Sequence, residues 1–76
     1  MKLSQMKAGE RGVILALEGL SDTIRKKLMV MGVLPNTEVV LIRRAPMGDP
    51  LQVEVRGVSI ALREKIAANI EVERAL

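Results

Sequence analysis

The stretch Leu51 to Arg56 alternates without a break, with Leu51, Val53 and Val55 on one face and Gln52, Glu54 and Arg56 on the other. A period of two is the mark of a half-exposed antiparallel strand. Arg56-Gly57 reads as a tight connection into Val58 to Leu62, where Val58, Ile60 and Leu62 alternate with Ser59 and Ala61. Gly12 to Leu17 and Glu38 to Arg44 are different: both carry apolar residues on both faces and read as buried strands. For Val39-Val40-Leu41-Ile42 the pattern leaves the inward face open. Between these two strands the period lengthens. Ser21 and Asp22 offer N-cap oxygens, and Ile24, Leu28 and Met31 follow at i, i+4 and i+7 on one helical face. Gly32 comes next, where a left-handed cap is cheap for glycine. Arg63 to Ala68 predicts one helical turn or slightly more, closed by Asn69. Ile70 and Val72, with Glu71 and Glu73, make a last short strand.

Turn signals fall at Ala8-Gly9, Glu18-Gly19, Gly32, Pro35-Asn36, Pro46 to Pro50 and Arg56-Gly57, with no linker or repeat between them. The elements are therefore five strands, one α-helix after the first strand (Ser21 to Met31) and a short helical turn before the last. A sheet this small must curl to bury one face, and closure removes its edges. The expected fold is mainly β, a small SH3-like five-stranded barrel forming one domain over residues 1–76. Val13, Leu15, Ile24, Leu28, Leu41, Val53, Val55, Ile60 and Ile70 are expected in its core, and Met31 beside Ile24 and Leu28.

Composition narrows the chemistry. The chain of 76 residues has no Cys and no His, which removes disulfides, thiolate or imidazole metal sites and nucleophile–histidine catalysis. It has no Phe, Tyr or Trp, so the usual stacking platforms for single-stranded nucleic acid are missing. Twelve Lys and Arg against 9 Asp and Glu leave a mixed surface of net charge +3, without the continuous basic face a nucleic-acid binder needs. The start has no apolar stretch of signal-peptide length, and the longest apolar runs, such as Val13 to Leu17, fall far short of a membrane span. The expectation is a cytoplasmic, non-enzymatic protein.

The order of four pieces carries a resemblance. They are Leu3-Ser4-Gln5-Met6-Lys7-Ala8-Gly9-Glu10-Arg11-Gly12, Leu28-Met29-Val30-Met31-Gly32-Val33-Leu34-Pro35-Asn36-Thr37, Arg44-Ala45-Pro46-Met47-Gly48-Asp49-Pro50, and Val55-Arg56-Gly57-Val58-Ser59-Ile60-Ala61-Leu62-Arg63. Together, over roughly Leu3 to Val72, the chain resembles the FeoA family of ferrous-iron transport accessory proteins. Many relatives have an aromatic residue after the Arg-Gly pair, where this chain has Val58. The resemblance implies an SH3-like fold and a cytosolic protein acting with the ferrous-iron transporter, an FeoB-type membrane protein with a cytoplasmic GTP-binding domain. Contact with the membrane would then be indirect. The same fold forms the C-terminal domain of iron-dependent repressors, so an SH3-like regulatory domain is the alternative.

The candidate partner-binding residues are Arg25, Lys26, Met29 and Met47. Arg25-Lys26-Lys27 either faces an acidic or anionic surface or is a solvated helix face. Met29, Val30, Leu34 and Met47 do not share the buried stripe, and exposed Met suits adaptable contacts. This apolar surplus also permits a homo-oligomer. Asp49 either meets a partner or a metal, or bonds amides of its own turn. One of Arg43 and Arg44 must find a partner or lie at the barrel rim, since adjacent strand residues point oppositely. For metal, only carboxylates remain: Glu10, Glu18, Asp22, Glu38, Asp49, Glu54, Glu64, Glu71 and Glu73, without cage-like spacing. No metal site and no cofactor are expected, and kinship with iron transport does not by itself make the chain an iron binder.

Overall fold

The cleanly alternating segment forms strand β3 (Leu51–Val55), the middle of a hairpin system, in a computed structural model that describes residues 1–75. The other elements are β1 (Arg11–Leu17), α1 (Asp22–Val30), β2 (Glu38–Arg44), β4 (Val58–Leu62), α2 (Glu64–Ala67) and β5 (Ile70–Arg74). All pairings are antiparallel, in the order β4-β3-β2-β1-β5. The architecture is the expected one, with α1 after the first strand and a helical turn before the last. Val55 and Val58 close the β3–β4 hairpin over Arg56 at φ 53° and Gly57 at φ 79°. Two central residues of positive φ make this a type I′ connection, whose twist matches that of the flanking strands.

Two β-bulges decide which faces point inward. On β1, Ile14 lies opposite Val72 and Ala16 opposite Glu71, so Leu15 has no partner. The inward set is therefore Gly12, Ile14 and Leu17, a step of two and then three. Leu15 is turned out and 44% exposed, and Val13 is half-buried. The expectation of Val13 and Leu15 in the core is thus wrong by one register step, because side chains on a strand swap faces with every such step. On β2 the bulge falls between Leu41 and Arg43. Val39 and Leu41 are buried before it, and Arg44 returns to the inward face after it, opposite the fully buried Leu51.

The same bulge explains how Arg44 is accommodated. Its guanidinium donates to the carbonyl oxygens of Ser4 and Met6, the latter at 3.1 Å. These belong to an N-terminal segment with a 3-10 turn at Leu3–Gln5. Leu3 and Met6 from this segment are fully buried in the core. A side chain at Gly12 would come within 3.1 Å of the Glu73 carbonyl and 3.5 Å of the Met6 sulfur, so Gly12 is what lets Met6 and β5 approach β1. The segment also runs along the outer edge of β5: the Val72 N–H donates to the Met1 carbonyl at 2.7 Å, and Lys2 bridges to Glu71. The Met1 ammonium donates to Glu71 Oε2 at 2.7 Å, and Lys2 Nζ lies 3.0 Å from Oε1.

The remaining core comes from Leu28, Val33, Val53, Val55, Ile60, Leu62, Ala67, Ile70 and Val72, with Ile24 and Ile66 partly buried against it. Met31 is not part of it. The helix ends at Val30, Met31 is its C-cap, and the side chain is 42% exposed. Its i+7 relation to Ile24 lapses where the helical rotation stops.

Truncating the N-terminal plug should be as damaging as truncating a strand residue. Leu3→Ala is expected to cost about 2–5 kcal/mol, a loss that lowers the melting temperature by roughly 4–8 °C per kcal/mol, read by thermal unfolding. Glu71 supplies a pH-dependent prediction. The Met1 ammonium, followed by Lys2, holds its carboxyl below the ordinary carboxylate value. A carboxylate depressed in the folded state stabilises that state at neutral pH and loses the effect as pH falls through its folded pKa. Glu71→Gln should therefore be less stable than the parent at pH 7, with the gap closing in acid. Denaturant titrations across that range check both sign and window.

Candidate interaction surface

Helix α1 is short and held at both ends. The Ser21 hydroxyl accepts the Ile24 N–H at 3.3 Å, and Asp22 pairs with Arg25 at 2.7 Å one turn on. At the other end Val33 N–H returns to the Leu28 carbonyl at 2.9 Å and Gly32 N–H to that of Met29 at 3.1 Å. This is a Schellman closure, and Gly32 takes the left-handed position at φ 96°. Such capping matters because the helix buries little: Leu28 is its fully buried residue and Ile24 is half-buried. The rest of the helix faces outward.

That outward surface has two parts. On one flank Met29 and Arg25 join Leu15, Leu17 and Pro35 around a shallow, mainly apolar depression. On the other, Val30 and Met31 lie beside Lys26 and Lys27 in a second depression. Val30 is 88% exposed. Among the described residues Lys26 and Lys27 form no ion pair, whereas Arg25 shares its charge with Asp22. The helix thus carries an apolar strip bordered by two unpaired cations.

Arg25, Lys26 and Met29 of the candidate residues therefore share one surface. Met47 does not join them. It is 92% exposed in the β2–β3 turn, beyond the start of β3, while the C-terminal end of α1 adjoins Val55 and Arg56 at the strand's other end. Five residues of strand span about 17 Å. Leu15 and Pro35 were not among the candidates. The signal for Leu15 lay in the two-sided apolarity of β1, which supplies more aliphatic side chains than one inward face accepts; Pro35, in the loop before β2, carried none.

Three other candidates have structural partners. The Asp49 carboxylate accepts the Glu64 N–H at 3.0 Å, so it heads α2 rather than bonding its own turn. Arg44 is engaged by the N-terminal segment as described. Arg43 donates from Nε to Gln52 at 3.1 Å, and Gln52 donates to Ser59 at 2.7 Å, a polar row across the outer sheet face. Among the described residues no three carboxylates converge on one point that could hold a metal ion, and no helix is long and apolar enough to cross a membrane.

Strand order, the Arg-Gly hairpin and the α1 insertion define a small SH3-like module with an exposed helix. The FeoA domain model matches residues 1–74, and the chain belongs to the FeoA family, which is involved in ferrous-iron transport. It is 33% identical over 73 residues to a protein of Porphyromonas gingivalis described as a fusion of Fe(2+) transport protein A and the Fe(2+) transporter FeoB. The match covers 96% of this chain and 8% of that one, so the chain spans a small fraction of this relative's length. The solution structure of FeoA from Chlorobium tepidum is similar at TM-score 0.95 and 32% identity, covering 100% of this chain and 71% of that one. FeoA from Stenotrophomonas maltophilia, described as a prokaryotic SH3 domain protein and crystallised with zinc, is similar at TM-score 0.84 and 29% identity, covering 96% and 89%. IdeR from T. acidophilum shares the fold at TM-score 0.85 and 21% identity, covering 99% of this chain and 34% of that one. At that identity the likeness is one of fold alone.

The donor chemistry yields a prediction. Scattered carboxylates give little selectivity for a transition metal. Anaerobic calorimetric titration with ferrous iron is expected to show no saturable site of micromolar affinity. A one-to-one site in that range would mean that carboxylates gather in solution in a way not seen here.

Proposed function

We propose that this chain is a non-catalytic, cytoplasmic accessory module of ferrous-iron uptake that docks its α1 surface onto the cytoplasmic GTP-binding domain of an FeoB-type transporter. The observation that carries this reading is the Porphyromonas gingivalis relative, in which the two partners are described as one polypeptide. Physical linkage of modules raises their effective concentration and is useful where they must meet. The α1 surface has the composition such a contact requires. Met29, Val30 and Met31 offer adaptable apolar area, and Arg25, Lys26 and Lys27 rim it with positive charge. Met47 serves as an outlying second anchor. An acidic rim on the transporter domain is the complementary feature.

The roles predict distinct kinetic signatures. Met29→Asp, which removes a central apolar contact, should weaken binding about tenfold or more and act through faster dissociation. Met47→Asp should produce a smaller loss of the same kind. Arg25→Glu and Lys26→Glu should slow association, strongly at low salt and weakly at high salt. Surface-immobilised transporter domain, with each variant's melting temperature as a fold control, measures these effects. Parent-like binding by folded Met29→Asp would remove α1 from the contact.

A further inference from the structure

The two flanks of α1 differ in charge. The depression around Met29 holds both signs, because Glu18 lines it together with Arg25, itself paired with Asp22. The other depression is lined by Lys26, Lys27, Val30 and Met31, with no carboxylate, amide or hydroxyl side chain among them. Neither lysine forms an ion pair among the described residues. Val30 is the last residue of α1, and Gly32 turns the chain away two residues on, so Val30 stands almost wholly exposed at the helix tip. Lys26 and Lys27 precede it by four and three residues and flank it one turn back. Lysine stems lie along apolar surface while their ammonium groups stay in water.

We propose that this second flank docks on the surface of an anionic phospholipid bilayer, with Val30 and Met31 at the boundary of headgroups and acyl chains and Lys26 and Lys27 on the lipid phosphates. Charge complementarity and the lack of directional groups select lipid over protein. A protein interface carries about one hydrogen bond per 100–200 Å², and this flank offers no polar group besides two ammoniums. A bilayer asks for no more, since apolar area and attraction to negative charge set the affinity of peripheral elements. The mixed charges of the Met29 flank suit a protein surface instead. The proposal thus narrows the transporter contact to the Met29 flank and does not depend on it. The membrane contact is direct, where the family resemblance implies one through the transporter alone.

The chain has no aromatic residue, so a single introduced indole fluoresces without background. Val30→Trp places the reporter at the helix tip, and Met47→Trp is a control at a comparably exposed residue away from α1. With phosphatidylglycerol vesicles at millimolar lipid, the emission of Val30→Trp should shift to the blue and that of Met47→Trp should not. Phosphatidylcholine vesicles should shift neither. Co-sedimentation of the parent chain with phosphatidylglycerol vesicles gives a binding constant that should fall about fivefold in Lys26→Gln or Lys27→Gln. It should fall about tenfold in Val30→Asp and fade at high salt, with melting temperatures close to the parent's. Equal shifts in both fluorescent variants, no shift in either, or parent binding indifferent to the other changes overturns the proposal. A shift of Val30→Trp with the soluble transporter domain but not with vesicles would assign the flank to that protein and likewise overturn it. The transporter reading fails separately, through Met29→Asp on the immobilised domain without lipid.

Discussion

The constraint on which this fold depends is the need to fill the core of a small five-stranded sheet without an aromatic ring. Phe, Tyr and Trp are absent from the chain, and each would have covered 150–250 Å² at one position. Aliphatic side chains must do the same work from more positions. The strands alone do not supply enough of them. Leu3 and Met6 come from the N-terminal segment, Leu28 from α1, Val33 from the loop that follows and Ala67 from α2. Interiors pack at near-crystalline density, so each of these pieces is fixed by the others. This is why a segment of unremarkable polarity before β1 is held by main-chain pairing to β5 and by the Arg44 guanidinium.

How legible this was in the sequence depended on local pattern. β3 could be read because its polar and apolar residues alternate. α1 could be read because Ser21 and Gly32 mark its ends. β1 and β2 could be placed but not oriented, since apolar residues on both faces satisfy either register and a bulge resets the phase midway. The N-terminal plug was not read. Leu3 and Met6 stand three apart, the spacing at which side chains eclipse on a 3-10 turn, but two apolar residues among polar ones are too weak a pattern to distinguish from a loop. Arg44 posed a solvable question without its answer: a partner was required, but carbonyls some 40 positions away leave no mark in sequence. Of the candidate contact residues, three could be grouped because a helix sets their neighbours by spacing alone, whereas the place of Met47 depended on which end of β3 the helix adjoins.

Filling the core with aliphatics has a surface consequence. A chain rich enough in Val, Leu, Ile and Met to pack this interior also places them where no interior remains, and Leu15, Met29, Val30, Met31, Ile42, Met47 and Val58 are exposed. Scattered singly, such residues need no explanation. Leu15 and Met29 are not scattered, since they share one depression with Pro35, and Val30 and Met31 border the next. Contiguity beside cations separates an interaction surface from residual hydrophobicity.

The C-terminal end of α1 and the β3–β4 hairpin are neighbours, and Arg56 is where they meet. A side chain at Gly32, the C′ residue of α1, would touch Arg56 Cδ and Val55. Arg56 itself holds a left-handed backbone conformation at φ 53°, which a long side chain adopts at a cost and which Asn or Gly would adopt more cheaply. Its long side chain lies against Gly32 and lines a depression with Glu38, Val40 and Glu54, packing that Asn or Gly at this corner would not supply.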